Sequence, residues 1–396
     1  MMSSAPPSKP IRVYLDYAAT TPLSRRVAER MRPFESESFA NPRSQHAFGK
    51  VAREAFDDAR FTVGKILGAT ADEVHFVDGG TDGNQKAILG VVNGLQDDGV
   101  RLEDMHIIVS AIEHSSIRSC AEMLSRRGVS VSYAPVNREG LIDVDAFAKL
   151  VKDSTVFVSI MLTNNEIGTI QPLREISRVL EEKSKGKKYP IALHTDASQS
   201  PLWMSVRPRD LGVQLMTLDG HKMYGPKGSG ALIVLHGVPY AGLCGALHEK
   251  HGSDDGVDGT PNMPGIIGFT EALSMCEEKR DTAVPAVREL QKYFLERLEE
   301  RFPDARIHGS RSERVANNIN VSFPNIEGEF LVAQLSAQGV AASAKSACLS
   351  SGEEGSYVIA ALDSERRNNA VRFTLGYETT QDDIDYVISV LVDAVA

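Results

Sequence analysis

The chain has 396 residues, 42% hydrophobic and 24% charged, with a formal net charge of −10. That length predicts two domains rather than one small core, and the ordinary composition excludes a disordered or fibrous class. The acidic balance argues against general nucleic-acid binding, which needs a basic footprint, and no apolar run reaches the ~20 residues of a membrane span.

Met1 to Pro10 lack the apolar core of a secretion signal and read as a loose tail, so a cytoplasmic protein is expected. Apolar runs at 74–77, 106–109, 156–161, 191–194, 215–218 and 231–235 read as buried strands. Amphipathic stretches lie between them, such as Asp143 to Val151 and Pro172 to Lys183, the second with proline at a helix start. Strands alternating with helices predict an α/β fold, a mainly parallel sheet covered on both faces. After about Thr260 the pattern changes to helical runs at 268–279 and 284–301, strands at 318–323 and 371–375, and a closing helix. We therefore expect a large α/β domain over 15–260, with 1–14 and 261–396 forming a smaller α+β domain. The serine-, alanine- and glycine-rich stretch from Ser343 to Ser356 reads as the most flexible part.

The four cysteines, Cys120, Cys244, Cys276 and Cys348, are far apart, with no pair at metal-ligand spacing, and no metal is expected. Cys120 and Cys276 fall in helical runs and read as inert small hydrophobes.

The chemistry gathers in turns that follow strands. Lys222 sits in Asp219-Gly220-His221-Lys222-Met223-Tyr224-Gly225, where a tight turn would present its amine to a carbonyl cofactor. The strand 74–77 runs into Asp78-Gly79-Gly80-Thr81-Asp82-Gly83-Asn84; glycines there let N–H groups approach a phosphate, and Thr81 adds a hydroxyl. Asp78 and Asp82 make this loop less receptive to anions. Glu113-His114, Thr163-Asn164-Asn165-Glu166 and Thr195-Asp196-Ala197-Ser198-Gln199 follow three further strands, at the edge where ligands of parallel sheets bind. Asp196 suits a buried carboxylate facing a protonated pyridine nitrogen; a helix N-cap is its other reading.

The strings Tyr14-Leu15-Asp16-Tyr17-Ala18-Ala19-Thr20-Thr21-Pro22, Asn41-Pro42-Arg43-Ser44-Gln45-His46, Glu113-His114, Asn164-Asn165-Glu166-Ile167-Gly168, Asp196-Ala197-Ser198-Gln199-Ser200, Gly220-His221-Lys222, Ser346-Ala347-Cys348 and Val371-Arg372-Phe373-Thr374-Leu375-Gly376 resemble, in order, those of the cysteine desulfurases. These are fold-type I pyridoxal 5'-phosphate enzymes of the class V aminotransferase group. The resemblance runs from about Tyr14 to the C-terminus. It implies a large domain with a mainly parallel seven-stranded sheet and a small domain carrying the cysteine loop. It also implies a homodimer that converts L-cysteine to L-alanine and passes sulfur to an iron–sulfur scaffold or a tRNA-thiolation acceptor.

By position, the resemblance makes Lys222 the Schiff-base lysine and His114 the imidazole stacked on the ring. Asp196 would pair the ring nitrogen, with Gln199 and Asn165 at the phenolic oxygen and substrate side. Gly80, Thr81, Asp219 and His221 would line the phosphate end, joined by Thr260 from a second subunit. Arg372 would grip the substrate carboxylate as a planar two-pronged donor, and Cys348 would be the thiolate that accepts sulfur. A selenocysteine lyase or other class V lyase, and a non-catalytic homologue acting as a binding subunit, are the competing readings.

The chain departs from the family pattern chiefly around the phosphate. Asp219 stands for a serine that donates to it, and Asp78 for another serine; Gly80 stands where the family has alanine or glycine, and Gln85 where it usually has asparagine. Val257 or Asp258 replaces an arginine before Gly259-Thr260, and Lys345 replaces a glycine in the cysteine loop. A carboxylate accepts and cannot donate. Asp219 is therefore expected to turn away, to be protonated, or to weaken cofactor binding, with catalysis retained.

Overall fold

The computed structural model describes residues 12–242, 259–344 and 355–395. Seven strands form the main sheet: β1 (Val74–Val77), β2 (His106–Ser110), β3 (Ser130–Ala134), β4 (Thr155–Ser159), β5 (Ala192–Asp196), β6 (Leu215–Asp219) and β7 (Gly230–Val234). Their spatial order is β1-β7-β6-β5-β4-β2-β3. Only β7 runs against its neighbours; the pairs from β6 through β3 are parallel. The strands β2, β5, β6 and β7 are buried at every residue, as expected where helices cover both faces.

The edge strand β3 was not among the expected strands. Its sequence, Ser130-Val131-Ser132-Tyr133-Ala134, is largely accessible and carries no continuous apolar run, so the signal for a buried strand is missing. The helical runs at 268–279 and 284–301 are also one element, the 39-residue helix Met263–Arg301 with Pro285 inside it. No residue from 277 to 286 is buried, so the apolar pattern lapses where the helix leaves one packing surface for another. Its neighbours include Arg25–Met31, Ala47–Leu67 and the C-terminal helix Gln381–Val395.

A second, antiparallel sheet places Asn318–Ser322 between Ala370–Thr374 and Arg306–Ile307. The N-terminal segment stitches this part to the main sheet. Val13–Tyr14 pairs with Val340–Ala341, Leu15 O accepts from Thr374 N at 2.8 Å, and Thr21 N donates to His221 O at 2.9 Å.

Two buried histidines tie strands together. His194 meets Ser159 Oγ and Thr217 Oγ1, each at 2.9 Å, across β4, β5 and β6. His106 meets Thr155 Oγ1 at 2.8 Å and Ser132 Oγ at 2.9 Å, across β4, β2 and β3. A third, His308, meets Ser322 Oγ at 2.9 Å in the smaller sheet. Burial first of all holds each imidazole neutral, pushing its pKa down from 6.5 to about 4.

The unfolded chain therefore binds protons between pH 6.5 and 4 that the folded chain refuses. This stability is complete above pH 6.5 and is lost as pH falls through the window. The urea midpoint is expected to fall steadily from pH 6.5 to 4.5, and less steeply in His308→Gln; a flat midpoint over that range would contradict the account.

Candidate active site

Because β1, β2, β4, β5 and β6 point the same way, the turns after them open at one edge of the sheet. A cavity of ≈ 150 Å³ there is lined by His114, Asn165, Asp196, Gln199, Lys222 and Arg372, with Gly80, Thr81, Asp219 and His221 also in its wall. A larger open cavity of ≈ 820 Å³, walled in part by Phe302, Phe323 and Phe330, gathers no lysine, histidine or cysteine among the described residues. The chemistry belongs to the smaller one.

Lys222 ends a single helical turn, Gly220–Lys222, capped by the Asp219 side chain. Its Nζ donates to the carbonyls of Ala18 at 2.6 Å and Ala19 at 2.8 Å. The turn is fixed from behind. Tyr224 takes a left-handed φ of 62°, its N–H donates to Thr21 Oγ1 at 2.6 Å, and its hydroxyl donates to Glu378 at 2.8 Å. A non-glycine residue persists in that region only when its surroundings over-determine it.

Asp196 is 8% exposed and held by two donors: Asn84 Nδ2 at 2.7 Å and Ser198 N–H at 2.9 Å. Asn84 Nδ2 also donates to Ser116 Oγ at 3.0 Å, and Ser116 Oγ meets His114 Nδ1 at 2.8 Å. Since Nδ1 also accepts the Ser116 N–H, at 3.3 Å, the neutral His114 ring carries its proton on Nε2. One chain of contacts thus links the Asp196 carboxylate to the His114 imidazole. Burial lifts the Glu113 carboxyl well above its ordinary range, helped by the charge of Asp196 and opposed by the Met161 N–H that donates to it.

Gln199 Nε2 donates to Ala18 O at 2.9 Å. Arg372 Nη2 pairs with Asp16 Oδ1 at 2.7 Å and Nη1 donates to Asn165 O at 2.8 Å, while its buried Nε has no partner among the described residues. Thr260 stands outside the cavity, exposed, 3.4 Å from Asn41 Nδ2. Cys348, Lys345, Val257 and Asp258 lie outside the described residues. Cys120 and Cys276 are buried, and burial pushes their thiols up to about 11 and about 12, as suits inert cysteines.

The aspartates that the resemblance sets around a phosphate behave differently from one another. Asp78 is exposed, and Asp82 pairs with Lys86 at 3.0 Å. Asp219 instead turns inward. Its Oδ2 accepts the Gly80 N–H at 2.7 Å, and its Oδ1 accepts the His221 N–H at 3.2 Å. Burial raises its pKa, but His221, the Gly80 N–H and Lys222 outweigh that and hold it below the usual carboxylate range. Of the three outcomes expected for Asp219, turning away is the one this geometry contradicts, and the surroundings favour the ionised form.

Asn84, Ser116 and Ser198 were not singled out from the sequence. Asn84 stands one turn into the helix Gly80–Asp97, and Ser198 two residues after Asp196; only the fold shows what they face. The whole set suits a flat cofactor with a basic ring nitrogen and an anionic tail. Asp196 offers a buried acceptor, Lys222 an amine, and the buried, unpartnered Ser198 Oγ and Arg372 Nε offer spare hydrogen-bonding capacity beside the cavity.

A family model, Aminotransferase class-V, matches residues 13–387. The chain belongs to this family. It is 41% identical over 381 residues to the cysteine desulfurase IscS of Dictyoglomus turgidum, which covers 96% of this chain and 93% of that one. A second relative, the cysteine desulfurase IscS of Methanosarcina thermophila, is 36% identical over 387 residues, 97% of this chain and 92% of the other. Among solved structures, a NifS-like protein superposes with a TM-score of 0.86 at 30% identity, covering 96% of this chain and 98% of that one. SspA in complex with cysteine superposes with a TM-score of 0.77 at 28% identity, over 93% and 100% of the two chains.

In this class-V aminotransferase, Asn84→Ala removes a charge-assisted hydrogen bond to Asp196, worth about 1.5–3 kcal/mol. Cofactor affinity is expected to fall roughly 10- to 100-fold in a titration of the cofactor-free protein. An unchanged affinity would remove Asn84 from the site.

Proposed function

We propose that the protein is a pyridoxal 5'-phosphate-dependent cysteine desulfurase, converting L-cysteine to L-alanine while a protein thiol becomes a persulfide. One observation carries the reading: Lys222, Asp196 and Arg372 surround a single cavity in a chain 41% identical, over nearly its full length, to a cysteine desulfurase. When bound, the cofactor supplies an electron sink. Lys222 would hold it and carry a proton to and from the substrate at Nζ. Asp196 would keep the ring nitrogen protonated, and His114 would cover the ring face. Asn165 and Gln199 would orient the substrate side and the phenolic oxygen. Arg372 would take the substrate carboxylate, drawing on its free Nε and on exchange with Asp16.

Cys348 is proposed as the sulfur acceptor. The substrate C–S bond breaks and an S–S bond forms, so that cysteine plus thiol gives alanine plus persulfide with no external oxidant. Residues 15–260 would form the cofactor-binding part, with 1–14 and 261–396 carrying the acceptor loop. Thr260 would complete the phosphate site of a second subunit in a homodimer. An iron–sulfur scaffold or a tRNA-thiolation protein would take the sulfur onward, within the cytoplasm.

The test measures alanine and bound sulfane sulfur together after addition of L-cysteine to the cofactor-loaded protein. Equal amounts are expected from the wild type, and at least a hundredfold loss of both in Lys222→Ala, the scale on which removing a nucleophile or acid–base group acts. Cys348→Ser should retain the cofactor absorbance yet form no persulfide. A wild-type protein that takes up no cofactor would favour the binding-subunit reading, and turnover of selenocysteine alone would favour a lyase.

A further inference from the structure

Ser198 holds a hydroxyl that the chain itself does not use. The residue is 8% exposed and its Oγ is buried without a hydrogen-bond partner among the described residues. Its backbone is fixed, because its N–H donates to Asp196 Oδ1 at 2.9 Å, yet the side chain is bonded to neither Asp196 nor Asp219. Buried hydroxyls normally find partners, so an orphan beside a cavity points to something that enters it.

Its position says which end of a ligand it would meet. A Cβ placed on Gly80 would lie 3.0 Å from Ser198 Oγ and 3.0 Å from Asp219 Oδ2, so these two oxygens flank the first residue of the helix Gly80–Asp97. A helix start carries the positive end of the dipole, which favours an anion. Asp219 already occupies the Gly80 N–H at 2.7 Å and, as a carboxylate, has no proton to offer. An anionic tail bound there needs a donor from elsewhere, and Ser198 is buried, unspent and adjacent. The three residues are matched: Asp219 fits because Gly80 has no Cβ, and Ser198 supplies the donor that Asp219 cannot.

Building on the cofactor assignment above, we propose that Ser198 Oγ donates a hydrogen bond to the cofactor's phosphate and is a cofactor-binding residue of this chain. It supplies the donor that a carboxylate at position 219 cannot.

The experiment compares uptake of pyridoxal 5'-phosphate and of pyridoxal, which lacks the phosphate, by the cofactor-free protein, followed by the absorbance of the lysine-bound chromophore. Ser198→Ala is expected to weaken binding of the phosphorylated compound about tenfold and to leave pyridoxal unchanged. Ser198→Cys, similar in shape but a weak donor, should behave as Ser198→Ala does, and Ser198→Thr should retain wild-type affinity. Melting of the cofactor-free variants is expected to match the wild type. Equal loss for both compounds, or no loss for the phosphorylated one, overturns the proposal while leaving the cofactor assignment intact. A wild-type protein that takes up neither compound overturns the assignment, and this proposal with it.

Discussion

Burying a carboxylate at the end of a fully buried strand is unfavourable unless donors meet it. At Asp196 the Asn84 amide and the Ser198 N–H do so, at 2.7 Å and 2.9 Å. Much of the site follows from that arrangement. Asn84 is brought in by the helix Gly80–Asp97, so the element that offers N–H groups to an anion at its first turn also fixes the carboxylate. Through Ser116 the same amide reaches His114 and sets its tautomer. A residue at the strand edge, a residue on a helix and a residue at another helix's cap are thereby locked into one geometry, the condition for a preorganised site.

The sheet beneath is rigid for a related reason. Strands buried on both faces leave few places for polar atoms, and where His106 and His194 occur, hydroxyls on adjacent strands satisfy them. Burial favours the neutral imidazole in both sets of contacts. Polar groups that cannot be satisfied this way collect at the edge where the parallel strands end, and the functional turns lie there.

The strands that face the core were legible because their apolar runs are continuous, and so were the turns that follow them. The edge strand Ser130–Ala134 was not, since most of its side chains are accessible and no face imposes an apolar run. The helix Met263–Arg301 read as two runs because nothing is buried between 277 and 286, although the backbone continues. Lys222, Asp196, His114 and Arg372 could be named from motifs, whereas Asn84, Ser116 and Ser198 could not. Asn84 reaches Asp196 and Ser116 from far away in sequence, which no local pattern encodes; Ser116 and Ser198 contact His114 and Asp196 two residues away, but the cavity beside them is built only by the fold. Asp219 shows the boundary well: its identity raised an electrostatic question, and only the position of the Gly80 N–H answered it.

The N-terminal segment adds a geometric rule of its own. Arg372 is clamped to Asp16, and Lys222 to the carbonyls of Ala18 and Ala19, two and three residues further along one strip of backbone. Residues 16–19 form a turn, closed by Ala19 N–H donating to Asp16 O at 3.0 Å. The guanidinium and the amine, separated by 150 positions in sequence, are thus both anchored to one turn, the first through a side-chain carboxylate and the second through two main-chain carbonyls. Any change that reshapes this turn displaces both cationic groups at once.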